Sequence, residues 1–141
     1  MHVRFPYGER HRYPHMKPND EAIWERFMEK YPEAYDEVSY DFAMGAGPEF
    51  STIVSPDTGG DDLPLYQKKA DVIGFKGREV DVIELKPYAG ESAIGQACCN
   101  KRLWHARHCK NMQCNPVIIT DRIQSDTPFL CKEMGVKLIV V

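Results

Sequence analysis

The chain has 141 residues, a length typical of one domain with its own core, and 43% of them are hydrophobic. Its net charge of −3 argues against a domain that binds nucleic acid through overall positive charge. No apolar run approaches the ~20 residues of a membrane span.

The charges are unevenly distributed along the chain. Between Asp20 and Asp62 lie 12 of the 21 acidic residues but only 2 of the 18 basic ones. The remainder is therefore basic on balance, and a cationic face for phosphate groups remains available.

Residues 1–18 are predicted to form an extended N-terminal arm, because proline, histidine and arginine occur there without periodicity. Arginines interleaved with aromatic residues suit phosphate and base contacts, and equally a loose tail. The segment lacks the apolar stretch of a signal peptide, which favours a cytoplasmic protein. A single domain is expected over residues 19–141.

A first helix is predicted to begin at Asn19, a good N-cap, and to end before Pro32. Its apolar residues form one stripe: Ile23, Trp24, Phe27, Met28 and Tyr31. Alternating residues in Tyr35–Met44 predict a strand. The loop Gly45–Leu63 that follows is long enough to fold over a substrate.

The segment Lys69–Lys86 predicts a β-hairpin in which charges interrupt two apolar strands. Because side chains alternate along a strand, Glu84 and Lys86 share one face. Pairing across the turn brings Asp71 close to them. Two carboxylates that hold a hard cation and a lysine near the reacting phosphate suit phosphodiester hydrolysis. The alternative is a structural ion pair between Glu84 and Lys86.

A second helix is predicted over Glu91–Cys109, with one apolar side that packs on the sheet. Gln96, Asn100 and Arg107 share another side. The basic residues of this helix, among them Lys101 and Arg107, offer contacts for a phosphate backbone.

The five cysteines form an odd set, unlike the disulfide framework of a small secreted domain. The spacing of His105, His108, Cys109 and Cys114 permits a zinc site as an alternative to ordinary reduced thiols.

The C-terminal third continues the alternation of helices and strands. Pro116–Thr120 predicts a buried strand, Thr127–Met134 a short helix that stops at Gly135, and Val136–Val141 a last strand. This order predicts an α/β fold with a mixed central sheet flanked by helices.

Asp71, the run Glu84-Leu85-Lys86 and Gln96 together resemble the PD-(D/E)XK nuclease superfamily, over roughly Asn19 to Val141. Ala70 stands where the superfamily motif has proline. The resemblance implies a restriction-endonuclease-like core in the order helix, three strands, helix, strand, with an extra helix and strand at the C-terminus.

The resemblance also implies a metal site. Asp71, Glu84 and the carbonyl of Leu85 would hold Mg²⁺, or Mn²⁺ as a substitute. Lys86 would act on the attacking water or on the transition state.

Further roles follow from the same resemblance. Gln96 would support the lysine, and it would carry Asn100 and Arg107 along the same ridge toward a phosphate backbone. The superfamily often places an acid of the first helix near the metal, which implies Glu21, with Glu25 in reserve.

The expected function is therefore a Mg²⁺-dependent nuclease that cuts DNA. A homodimer or a partner protein would supply specificity, as in junction resolvases and small phage nucleases. Two alternatives stay open: a catalytically silent nuclease fold that binds nucleic acid or serves in assembly, and a subunit active only in a larger restriction, transposition or phage complex.

Overall fold

The computed structural model describes residues 3–9, 13, 16–43, 69–108 and 111–141. It forms one mixed sheet with strands in the order β1 to β6 and with helices on both faces. Neighbouring strands are antiparallel from β1 to β4 and parallel from β4 to β6. The elements are β1 Phe5–Pro6, α1 Pro18–Lys30, β2 Glu37–Ala43, β3 Lys69–Lys76, β4 Glu79–Ala89, α2 Glu91–His108, β5 Gln113–Ile123, α3 Thr127–Met134 and β6 Lys137–Val140. The predicted α/β class with a mixed central sheet is confirmed.

Helix α1 covers one face of the sheet. The predicted stripe is buried, and Trp24 and Phe27 pack there with Leu85 of β4 and Ile119 of β5. The predicted N-cap at Asn19 is wrong, because the helix begins at Pro18 with Lys17 as its cap residue. Proline is favoured at the first helical position, since its ring fixes φ and its missing N–H has no partner there.

Helices α2 and α3 cover the opposite face. Trp104 of α2 packs against Phe75 and Val82, while Ala93 and Cys131 meet beside the later strands. Two helical layers around one sheet bury both of its faces, which explains the apolar runs of its central strands.

The N-terminal segment contributes to the fold more than an extended arm would. Phe5 and Pro6 form β1, which pairs with Val38 and Glu37 of β2. Tyr13 is buried, and its ring packs edge-on against that of Tyr40. Aromatic burial thus draws this segment onto the α1 face of the sheet.

The loop predicted at Gly45–Leu63 lies outside the described residues. In the part of the chain that the structure does describe, no helix has the length and apolar character needed to cross a membrane.

Candidate active site

The hairpin of β3 and β4 brings the two predicted acids together. Opposite residues pair from Lys76 with Glu79, at the turn, to Val72 with Ile83. In the same register, Asp71 and Glu84 are the next two opposite residues. Beyond this point β3 stays paired with β2, and β4 stays paired with β5 as far as Ala89. The two strands part at the acids, which opens the sheet there.

The Asp71 side chain accepts a backbone hydrogen bond at the point where the ladder between β3 and β4 ends. The backbone N–H of Leu85 donates to Asp71 Oδ2 at 2.8 Å. This bond satisfies a backbone donor next to the opening and holds the carboxylate toward β4.

Glu84 is buried, with 5% of its surface exposed, and it is fixed by an amide from α2. Asn100 Nδ2 donates to Glu84 Oε1 at 2.5 Å. Asn100 is itself 4% exposed, and the same nitrogen lies 3.5 Å from the carbonyl oxygen of Lys69. The amide therefore joins the acid of β4 to the start of β3.

Burial and mutual repulsion act strongly on this pair of acids. Desolvation raises the pKa of Asp71 to about 6, against the hydrogen bond from Leu85 and the charge of Lys86, which lower it. Desolvation and the charge of Asp71 raise the pKa of Glu84 to about 8, against the lowering effects of Asn100 and Lys86. Burial and the repulsion between the two carboxylates therefore both oppose a state in which the two acids are charged together.

Two further acids act on the pair from neighbouring elements. Asp20, in the first turn of α1, raises the pKa of both acids, and Asp41 of β2 raises that of Asp71. Burial raises the pKa of Asp20 itself, whereas Lys17 and Lys86 lower it.

Asp41 lies next to Asp71 across the sheet. The pairs Tyr40–Val72 and Phe42–Ala70 place it opposite Asp71, with a φ of 49°. Lys69 Nζ lies 3.5 Å from its Oδ2. Acids of four elements thus surround the opening between β3 and β4.

Lys86 provides the positive charge of the site. It is half-buried and lines an open cleft of about 500 Å³ between the start of α1 and the end of β4. The lining residues are Lys17, Pro18, Asn19, Asp20, Leu85, Lys86 and Pro87. Since its charge lowers the pKa of Asp71, Glu84 and Asp20, Lys86 is close to all three acids.

The salt bridges between described residues do not include a Glu84–Lys86 pair. The alternative of a structural ion pair between Glu84 and Lys86 therefore has no support in the described part of the chain. The predicted alternation itself agrees with the packing, because Ile83 and Leu85 face α1 whereas Glu84 contacts α2.

No hydrogen bond or ion pair within the described ranges joins the predicted Glu21, Glu25 or Gln96 to this pair of acids. The helix α1 acid whose charge reaches the pair is Asp20, the neighbour of the predicted Glu21, and neither Glu21 nor Glu25 is among the groups that act on it. Gln96 is exposed one turn before Asn100, and the amide bonded to Glu84 comes from Asn100.

The predicted DNA contacts on α2 divide into two kinds. Asn100 is a correction: it is buried and bonded to Glu84, so its amide is not presented to a phosphate backbone. Lys101 is half-buried and Arg107 is exposed, which leaves both accessible to a ligand.

The zinc alternative finds no support among the described residues, where no three His, Cys, Asp or Glu side chains are grouped to hold a metal ion. Cys109 lies outside these residues, and Cys114 is buried with its Sγ 3.7 Å from the carbonyl oxygen of Lys101. Among the described residues, neither Asp20 nor Asp41 joins Asp71 and Glu84 in such a group of three.

Comparison with known proteins extends to the fold only. No profile of a known protein family and no curated protein matches the sequence. The structure of an EndoMS–dsDNA complex is 14% identical, with a TM-score of 0.52, over 94% of this chain and 48% of that chain. A repair endonuclease from Pyrococcus abyssi is 16% identical, with a TM-score of 0.45, over 52% of this chain and 32% of that chain.

This chain therefore spans about half of the length of the first structure and a third of the second. The likeness to the first shows the fold, a restriction-endonuclease-like α/β core, and confirms the predicted fold class.

Proposed function

We propose that this chain is a Mg²⁺-dependent nuclease that hydrolyses phosphodiester bonds in DNA. The observation that carries the proposal is the buried pair Asp71 and Glu84, held by Leu85 N–H and Asn100 at the point where two strands part, with Lys86 in the adjoining cleft. A fold needs no such arrangement for stability, since two buried acids side by side raise its free energy.

The residues fit a hard divalent cation. Both side chains offer carboxylate oxygens, the ligands that Mg²⁺ prefers, and burial together with the charge of Asp71 raises the pKa of Glu84. Asp71, Glu84 and the carbonyl of Leu85 would hold Mg²⁺, or Mn²⁺ as a substitute, with Asp20 adding negative charge nearby. When bound, the cation neutralises charge that develops on the reacting phosphate.

Lys86 is the group that acts on the reaction from the protein side. Its side chain lines the open cleft, and its charge lowers the pKa of three nearby carboxylates. From there it orients the attacking water or stabilises negative charge in the transition state. Gln96 stands as a second polar group to support Lys86, and Glu21 remains a candidate beside Asp20.

DNA is the proposed substrate because of the fold and the basic residues around the site. One structure with this fold is a complex with double-stranded DNA. Lys101 and Arg107 of α2 would contact backbone phosphates at all sequences. So small a domain would gain specificity from a second copy or from a partner protein.

A cleavage assay tests the proposal. We expect labelled supercoiled, linear, branched or single-stranded DNA to be cut in Mg²⁺ or Mn²⁺, and to stay intact in Ca²⁺ or excess chelator. Glu84→Gln should abolish cutting, whereas Glu79→Gln, an exposed acid of the same strand, should not. Cleavage in chelator, or normal cleavage by Glu84→Gln, would overturn the mechanism. A folded protein that binds DNA and cuts none of these substrates would indicate a silent nuclease fold.

A further inference from the structure

An exposed aromatic ring stands immediately beyond the lysine of the site. Tyr88 has 53% of its surface exposed, and it follows Lys86 by two residues in β4. A strand rises about 3.3 Å per residue, so the two residues are roughly 7 Å apart. Between them, Pro87 lines the same cleft as Lys86. Because side chains alternate along a strand, the ring lies on the same side of β4 as Lys86.

A guanidinium group accompanies this ring. Tyr88 is paired with Arg122 of β5 in the parallel ladder, and the Arg122 Cζ lies 5.3 Å from the centre of the ring. Arg122 is exposed as well. A guanidinium over one face of an exposed ring can bind a phosphate while an unstacked base stacks on the other face of the ring.

The backbone beneath the pair is firmly held. Gln124 N donates to the carbonyl of Ala89 at 3.0 Å, and Thr127 Oγ1 donates to the same carbonyl at 3.1 Å. Gly90 packs so closely on the Gln124 side chain that an added Cβ would lie 2.4 Å from its Cδ. The ring and the guanidinium thus project from a fixed base, which limits the entropy lost when a ligand binds.

We propose that Tyr88 and Arg122 form a binding site for an unpaired nucleotide of the strand being cut, with the base stacked on Tyr88 and a phosphate at Arg122. The inference rests on the proposed function, because the reacting phosphate at Lys86 fixes the register. Nucleotides of one strand are about 3.4 Å apart along a duplex axis, so a distance of roughly 7 Å corresponds to one or two nucleotides. Stacking needs a free base face, so the site favours unpaired over duplex DNA at this position.

Binding to single-stranded and duplex oligonucleotides of one sequence tests the proposal. The measurements are made in Ca²⁺, and gels check that the oligonucleotides stay uncut. The fluorescence of 2-aminopurine, placed at successive positions of the oligonucleotide, reports stacking, and fluorescence anisotropy reports affinity. We expect Tyr88→Ala to lose affinity for the single strand roughly 5- to 150-fold, the range for one base stack, with less than a twofold change for duplex. Tyr88→Phe should retain both. Arg122→Ala should reduce the salt dependence by about one phosphate contact.

The chain offers a matched control at the other end of β4. Tyr31 is 39% exposed, and the Lys30 ammonium lies 5.7 Å from the centre of its ring. Tyr31 borders a separate cleft that Asp81 also lines. Asp81 precedes Tyr88 by seven residues in β4. Tyr31→Ala should bind both oligonucleotides as the unchanged protein does.

The outcomes separate this site from the proposed function. Unchanged single-strand binding by Tyr88→Ala, or an equal loss for duplex, would overturn the nucleotide site even if the protein cuts DNA normally. The protein could instead quench 2-aminopurine in a way that depends on Tyr88 and yet cut no DNA. That result would support the nucleotide site and reject the nuclease proposal.

Discussion

Glu84→Gln separates a metal site from a structural acid, because the two interpretations require opposite changes in stability. The substitution keeps the shape of the side chain and an oxygen that accepts from Asn100, but it removes the charge that faces Asp71. Burial and that neighbouring charge raise the pKa of Glu84 from 4.5 to about 8. The folded-state pKa thus lies above that of the unfolded chain, so the metal-free fold loses stability as pH rises from about 4.5 toward 8.

The size of the effect follows from the pKa. One pKa unit corresponds to ~1.4 kcal/mol, so full ionisation of Glu84 in the metal-free fold costs at most about 5 kcal/mol. Because Asp71 shares the repulsion and relaxes when Glu84 stays protonated, we expect a gain of about 2–3 kcal/mol from the substitution. For a chain of this size that gain raises the melting midpoint by roughly 5–10 °C.

The assay is thermal unfolding in chelator at two pH values. At pH 8.5 Glu84→Gln should melt above the unchanged protein, and at pH 5, where Glu84 is protonated, the two should melt within about 2 °C of each other. Glu79→Gln controls for the loss of one exposed acid on the same strand. A midpoint lowered at pH 8.5 would refute the reasoning. Removing one partner of a buried ion pair costs ~3–5 kcal/mol, and such a drop would identify Glu84 as a structural residue.

Further substitutions test the remaining roles. Lys86→Ala should slow turnover in single-turnover kinetics by orders of magnitude with little change in DNA affinity, and normal cleavage by this variant would remove the lysine from the mechanism. Arg107→Ala should instead weaken DNA binding at all sequences and flatten the salt dependence of binding, as fluorescence anisotropy would report. Asn100→Ala leaves a buried acid without its donor and should cost ~1–3 kcal/mol in urea unfolding, a loss that an unchanged midpoint would contradict. Asp20→Asn should weaken Mn²⁺ binding in calorimetry more than Glu21→Gln, and the reverse order would restore Glu21 as the helix α1 acid.

The central pair was predictable because it depends on local rules. A hairpin with a short turn fixes its own register, and alternation along β4 assigns Glu84 to a face, so Asp71 and Glu84 follow from about 18 residues of sequence. The strands and helices of the C-terminal third were readable for the same reason, and Thr127–Met134 matches the helix as observed.

The surrounding residues were not predictable in this way. Asp20 reaches the acids because packing on Leu85 and Ile119 sets where α1 begins relative to the end of β4. Asp41 lies opposite Asp71 only once the register between β2 and β3 is known. The helical angle correctly placed Asn100 and Gln96 on the same side of α2. Whether Asn100 contacts DNA or bonds to Glu84 depends on how deeply it is buried, and that depends on how α2 docks on the sheet.

Anomalous diffraction from a crystal soaked in Mn²⁺ tests the metal site most directly. The ion should appear between the carboxylates of Asp71 and Glu84, at about 2.0–2.2 Å from oxygen ligands that include the carbonyl of Leu85. The peak should be absent from crystals of Glu84→Gln treated in the same way. A fully soaked crystal with no peak between these acids, or with its only peak at His105 and Cys114, would contradict the assignment of this site as the metal centre of a nuclease.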